Sequence, residues 1–264
     1  MLSVPVAEHQ TDSEGYLRRP WAEETEFLAE FGRHGVLSGE RVLDLGCGLG
    51  ARTAAVAGAG AAETVGVDND MSQIHGARRL SRRSGVPSVS FAVQSGTRLA
   101  FAADRFDVVL MLDVIEHLSD PGGVLAECAR VLRPGGRVLI GFPPYRSPWG
   151  GHLFSHVPIP WVHLLFPDHE VLEVWREVFA EAVARGEVTC SAKRSRAIME
   201  ARKTTSLWDC NEMTIAGFFD LVDRSPLRLS SIRFRTLGRI GGPVTRQAWL
   251  REYLVTRAIA VLEA

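Results

Sequence analysis

Val42-Leu-Asp-Leu-Gly-Cys-Gly-Leu-Gly50 is the stretch on which the reading of this chain turns. Arg41 to Leu45 is a short apolar run with strand character. The alternate glycines after it read as a tight turn into a helix that starts at Ala51. Gly46, Gly48 and Gly50 allow backbone to come close to a ligand at a helix N-terminus. Gly46, Gly48 and Ala51 also satisfy the dinucleotide pattern G-x-G-x-x-A. Alone, the loop is a weak signal, its plain alternative being a tight strand-to-helix turn that holds nothing.

Outward from it the pattern is regular. Trp21 to His34 reads as an amphipathic helix, preceded by a polar segment. Strands are expected at Thr64–Val67, Val89–Val93, Phe106–Leu112 and Arg137–Phe142. Helices are expected at Ala51–Ala59, Gln73–Ser84 and Pro121–Val131, the last stopped by Pro134-Gly-Gly136. Strands alternating with helices imply right-handed crossovers and a parallel sheet. Nearly continuous apolar strands such as Phe106-Asp-Val-Val-Leu-Met-Leu112 fit a sheet covered on both faces. The regularity stops after Phe142, with one clear helix near 168–185, and returns as a helix near Thr214–Asp223 and strands near Leu229–Arg235 and Tyr253–Leu262.

The expected fold class is therefore α/β: a Rossmann-like, doubly wound, mostly parallel seven-stranded sheet, with a helical cap inserted after strand five. The divisions are 1–35, an N-terminal helical segment; 36–142, a cofactor-binding core; 143–211, the cap and acceptor region; and 212–264, completion of the sheet.

Composition narrows the class. With 264 residues and 46% hydrophobic content, one sizeable core is affordable. A formal net charge of -1 shows no basic footprint for nucleic acid, so no nucleic-acid partner is expected. Arg heavily outnumbers Lys, so local Arg clusters are discounted. Cys47, Cys128, Cys190 and Cys210 have no C-x-x-C pairing, and the first ten residues lack a basic and then apolar leader. A reduced, cytoplasmic chain without a membrane span is the expectation.

Asp68 ends the second strand, where a carboxylate accepts ribose hydroxyls. With the loop it points to a nucleoside-type cofactor without saying which. The rest of residues 36–142 separates the candidates. Asp44-Leu-Gly-Cys-Gly-Leu-Gly50, Val65-Gly-Val-Asp68, Phe106-Asp-Val-Val109, Asp113-Val-Ile-Glu-His-Leu118 and Val131-Leu-Arg-Pro-Gly-Gly136 together resemble the class I S-adenosylmethionine-dependent methyltransferases, in motif and in order. That family's seventh strand runs antiparallel, which suits the two C-terminal strands here.

The resemblance implies a set of roles. Gly46, Gly48 and Gly50 would lie under the methionine part of S-adenosylmethionine, and Asp44 would orient its ammonium group. Asp68 would take the ribose, and Asn69 and Asp70 would flank the adenine. Asp113 would contact the methionine moiety or the acceptor. The bland alternative for Asp113 and Glu116 is a pair of helix-start carboxylates. One departure stands out: Ser95 occupies the position where the family often has an acidic residue against the adenine amino group. Adenine reading then falls to Ser95 itself, a backbone carbonyl, Gln94 or Thr97.

Acceptor choice is assigned to the insertion and the N-terminal segment. Tyr16, Trp149, Phe154, Trp161 and Trp208 are candidate acceptor-binding aromatics, the alternative being the cap's own core. His152, His156 and Glu170 are candidate general bases. A helix N-terminus is the plainer account of Asp168–Glu170. No zinc-type motif is present and no metal site is expected. Lys193-Arg-Ser-Arg196 reads as a solvated helix face, or as an anion patch that would place Arg196 on an acceptor.

The acceptor is read as a small apolar or amphiphilic molecule with an O, N or C nucleophile, in specialised metabolism. A prenyl diphosphate methylated at an alkene carbon is the alternative, and Mg²⁺ enters only there. Other classes weighed are a nicotinamide dehydrogenase, a non-methylating cyclase or cofactor sensor, and a macromolecular methyltransferase. The oligomeric state is left open, a homodimer being one option.

Overall fold

The computed structural model of the chain describes residues 26–84, 88–150, 159–185, 211–238 and 246–264. Its centre is a seven-stranded sheet: β1 Arg41–Leu45, β2 Glu63–Asp68, β3 Val89–Val93, β4 Phe106–Leu112, β5 Leu132–Phe142, β6 Arg228–Thr236 and β7 Val255–Glu263. The spatial order is β3-β2-β1-β4-β5-β7-β6. The first five strands pair in parallel, and β7 runs antiparallel between β5 and β6. The seven-stranded, mostly parallel sheet expected from the sequence is the one observed.

Alternation within the strands sends side chains to two cores. Val42, Val108, Leu110, Leu139 and Val261 face one side, with Leu28, Phe31 and Val56 of the flanking segments. Leu43, Val109, Met111, Ile140 and Ala260 face the other, under Leu125, Cys128, Phe218 and Val222. Each face is closed by helices: α1 Glu26–Ala29 and α2 Ala51–Gly58 on the first, α4 Pro121–Val131 and α7 Ile215–Asp223 on the second. Burying each of these aliphatic side chains contributes about 1.5–3 kcal/mol, so coverage of both faces holds the sheet ends in register.

The remaining helices are α3 Met71–Ser84, α5 Val162–Leu165, α6 Asp168–Ala184 and α8 Ala248–Leu254. Helix α4 starts where the sequence says it should. Asp120 caps it by accepting from Gly123 N at 2.9 Å, and Pro121 fills the first turn.

Three elements differ from the expectation. The N-terminal helix is short among the described residues. Chain reversal brings Gly35 so close to Leu28 that a Cβ would stand 2.0 Å from its carbonyl oxygen, and 21–25 lie outside the described residues. Strand β5 begins at Leu132 rather than Arg137, because a register shift between Phe106 and Val108 admits the Pro-Gly-Gly turn to the ladder. Helix α8 was unforeseen: it takes Tyr253 and Leu254 from the start of the expected last strand, so that β7 begins at Val255.

Of residues 143–211, expected as an inserted cap, 151–158 and 186–210 lie outside the described residues; those described hold α5 and α6. No helix of the described residues is long and apolar enough to cross a membrane.

Candidate functional site

The strand order reverses between β1 and β4, with the helix after β1 on one face and the helix after β4 on the other, so a crevice opens between the C-terminal ends of these two strands. The glycine loop lies at that point. Gly46 N and Cys47 N both donate to Val67 O, at 2.8 and 3.0 Å, pinning the loop to β2. Gly46, Gly48 and Gly50 all have φ between 53° and 75°. Their reasons differ. A Cβ at Gly46 would meet Val114 at 2.5 Å and one at Gly50 would meet Phe91 at 2.5 Å, so these two are fixed by packing. A Cβ at Gly48 would meet nothing within 4 Å. That open face, at the N-terminus of α2, is where a ligand can approach backbone.

Asp68, at the end of β2, is integrated with the loop. Its Oδ2 accepts from Gly48 N at 3.0 Å and its Oδ1 from Asp70 N at 2.9 Å. Each carboxylate oxygen has a further lone pair, so the group is held in place with acceptor capacity left for hydroxyls. Asp44 is 2% exposed and accepts from Thr53 Oγ1 at 2.6 Å. Burial raises its carboxyl above the ordinary range, opposed by Arg52 and the Thr53 hydroxyl.

Asn69 is exposed beside Asp68. Asp70 is committed elsewhere: its Oδ1 accepts from Ser72 N and Oγ and from Gln73 N, at the start of α3. Beyond β3, Ser95 Oγ and Thr97 Oγ1 are 2.9 Å apart and exposed, while Gln94 Oε1 is taken by Ala100 N at 2.8 Å. Of the side chains weighed from sequence as adenine readers, Ser95 and Thr97 are exposed at the edge, while the Gln94 carbonyl oxygen is committed to the chain.

Asp113 immediately follows β4, with φ 57°. Its backbone N donates to Gly141 O at 2.8 Å, and Arg257 Nη1 donates to its Oδ1 at 2.8 Å. Arg52, in the first turn of α2, donates to Leu112 O at 3.1 Å and lies 3.7 Å from Asp113 Oδ2. Asn211, where the chain returns from the insertion, donates through Nδ2 to Ile115 O and Leu118 O, fixing the turn that carries Glu116 and His117. Arg257 and Asn211 were missed in the sequence. Arg257 is the one charge between Val255 and Leu262, which was the available signal.

The insertion's candidates divide. Glu170 is exposed in the first turn of α6, away from the face that buries Val171, Leu172 and Trp175. Its placement matches a helix-start carboxylate better than a base. Trp161 has φ 57°, and its Nε1 donates to Tyr253 O at 3.0 Å, tying the insertion to α8. Its polar edge is therefore committed to the chain itself. Trp149 is half-buried, its N donating to Ser147 Oγ. His163, in α5, is buried beside Tyr145, with ring centroids 5.0 Å apart. Burial pushes its imidazole below the ordinary range, with the Tyr145 backbone and Asp168 opposing. Tyr16, His152, Phe154, His156, Arg196 and Trp208 lie outside the described residues. No group of three or more metal-ligating side chains occurs among the described residues.

The sheet order, the open glycine loop and the β2 carboxylate together define a Rossmann-like methyltransferase fold. Residues 43–140 match the family described as "Methyltransferase domain". Among curated proteins, the chain is 39% identical over 104 residues to a ubiquinone biosynthesis O-methyltransferase of Rhizobium etli (strain CIAT 652), covering 39% of this chain and 41% of that protein. It is 37% identical over 124 residues to the methyltransferase GfsG of Streptomyces halstedii, covering 46% of this chain and 45% of that one. The matched region is thus under half the length of these relatives. Among solved structures, a SAM-dependent methyltransferase from Methanosarcina mazei shares the fold, with TM-score 0.54 and 16% identity over 87% of this chain and 95% of that one. Residues 43–140 thus form a methyltransferase domain, within a fold shared with S-adenosylmethionine-dependent methyltransferases.

Proposed function

We propose that the chain transfers the methyl group of S-adenosylmethionine to a small molecule, with an oxygen nucleophile as the first expectation. The observation that carries this reading is the open face at Gly48, bordered by the anchored Asp68 carboxylate, in the β1/β4 crevice. The nucleophile class is taken from the matched relatives, several of which are named O-methyltransferases.

The residues present fit the cofactor. The backbone at Gly48 would lie under its amino-acid end, Asp68 would accept from its ribose, and the Ser95–Thr97 hydroxyl pair would meet its adenine. Asp113, and Asp44 from beneath the loop, would face its cationic amino-acid end. S-adenosylmethionine supplies an activated methyl on a sulfonium, so the protein has mainly to align the acceptor and exclude water. The insertion, residues 143–211, is assigned that second task as a cap, with specialised metabolism as the setting. If the acceptor must lose a proton, His163 beside Tyr145 joins His152 and His156 as the group to test. Burial keeps its imidazole neutral at neutral pH, as a base must be.

The test is calorimetric titration with S-adenosylhomocysteine, followed by a labelled-methyl screen of phenols, sugars and prenyl diphosphates, with and without Mg²⁺. Binding plus label in a phenol or sugar hydroxyl supports the reading. Label only in a prenyl diphosphate would move the acceptor to carbon. Binding without any transfer would favour a non-methylating cyclase or sensor. No binding would overturn the reading.

A further inference from the structure

Five charged side chains from five parts of the chain form one line across the crevice end of the sheet. Arg52 of α2 lies 3.7 Å from Asp113, and Arg257 of β7 is 2.8 Å from the other Asp113 oxygen. The Arg257 Nε is 3.8 Å from Glu30, just past α1, and Glu30 also pairs with Arg235 of β6. Arg257 is the middle link, the only one that meets both carboxylates. The two Arg257 pairs are not ordinary surface contacts, since Asp113 and Arg257 are 26% exposed and Glu30 is 15% exposed, whereas Arg235 at the outer end is 62% exposed. Solvent screens such groups less than it does rim charges.

Two further observations show that the fold is shaped around this link. Gly141 of β5 lies directly beneath the guanidinium, and a Cβ there would stand 2.9 Å from Arg257 Nη2. The Gly141 carbonyl also accepts the Asp113 backbone N–H. Asp113 is held in the left-handed region, which is strained for a non-glycine residue and persists only where its surroundings over-determine it. Arg257 and Gly141 are those surroundings.

We propose that Arg257 is a positioning residue for the crevice: it fixes the Asp113 carboxylate and, through Glu30, makes that placement depend on the docking of α1. Helix α1 then acts on the ligand end of β4 through Glu30 and Arg257. A planar guanidinium is suited to this, because it presents donors in two directions at once where a lysine presents one point charge. The inference rests on the proposed cofactor site.

The experiment measures S-adenosylhomocysteine affinity by calorimetry and unfolding by chemical denaturation for Arg257→Gln, Arg257→Lys, Glu30→Gln, Asp113→Asn and the Glu30→Gln/Asp113→Asn pair. A lost charge-assisted hydrogen bond corresponds to about tenfold or more in affinity. Arg257→Gln is expected to weaken binding to that extent, with Arg257→Lys between it and wild type. Glu30→Gln and Asp113→Asn should be non-additive in both readouts, and their coupling should vanish in the Arg257→Gln background. A purely structural Arg257 would lower stability and leave affinity alone. Affinity of folded Arg257→Gln within twofold of wild type, or full additivity of the Glu30 and Asp113 changes, would overturn the inference. If wild type binds no S-adenosylhomocysteine, the cofactor reading fails, and the unfolding cycle, which needs no ligand, still decides whether Arg257 couples the two carboxylates.

Discussion

Gly48→Ala and Gly50→Ala separate a glycine kept for a ligand from one kept for packing. Both positions have positive φ, 53° and 74°, so alanine at either costs about 1–2 kcal/mol of backbone strain. At Gly48 the new methyl meets nothing, and strain is the whole effect on the free protein. At Gly50 it also stands 2.5 and 2.6 Å from Phe91 and 3.0 Å from the Ala77 Cβ. Phe91 and Ala77 are buried together with Ile74, so the ring has little room to retreat. Overpacking there adds about 1–3 kcal/mol.

For a chain of this size each kcal/mol lowers the thermal midpoint by roughly 2–4 °C. Gly48→Ala is therefore expected to lose a few degrees, and Gly50→Ala about twice as many. Cofactor affinity should run the other way. The Gly48 methyl points into the space assigned to the ligand, and Gly48→Ala should weaken S-adenosylhomocysteine binding by about tenfold or more, the scale of one displaced hydrogen-bonded contact. Circular dichroism melting and calorimetry give both numbers. A Gly48→Ala protein that binds as wild type does would refute the assignment of the open face. One that melts as low as Gly50→Ala would refute the packing argument.

Asp68→Ala should lose cofactor affinity by at least tenfold, since it removes the ribose acceptor and the anchor of the Gly48 amide together; an unchanged dissociation constant would sink the ribose assignment. Asp44→Asn should bind cofactor more weakly yet unfold no more easily at pH 7. The folded carboxyl is raised, so the ionised form carries a burial cost that increases as pH rises above 3.8, and the amide escapes it. Equal losses of stability and binding in denaturant titrations would contradict this. His163 has its folded value pushed below 6.5, so the unfolded chain takes up the proton first. Stability should be level above pH 6.5 and fall as pH drops below it, and His163→Asn should flatten that part of the profile. An unaltered slope would assign the acid sensitivity elsewhere.

Much of the architecture was legible because it is written in local runs. Phe106–Leu112 could only be an interior strand, and the loop at Gly46–Gly50 announced a strand-to-helix turn. Ser95 was likewise visible as a departure within a familiar motif. What could not be read were partnerships over long separations. Asp113 and Arg257 are 144 residues apart, and in an arginine-rich chain no single arginine stands out. The same discount hid Arg52. Trp161 illustrates another limit: an aromatic in the insertion looks like an acceptor wall until its indole N–H is found on the Tyr253 carbonyl. Glu170 looked like a base because it sits among histidines in sequence, while helical periodicity turns it outward from Val171 and Leu172.

The place of β7 in the sheet has a consequence for how the molecule is made. β7 sits between β5 and β6, so β6 has no partner in the sheet until β7, which follows it in the chain, has been synthesised. The outer edge of β5, with its buried run Val138–Ile140, stays unpaired for as long as the ribosome takes to travel from Phe142 to Val255. At about 5–20 residues per second that is on the order of 10 s, with an apolar strand edge open to any neighbouring chain. Nascent chains halted before Val255 are expected to be the aggregation-prone species, and expression should depend more on the speed of translation through 143–254 than on the stability of the finished fold.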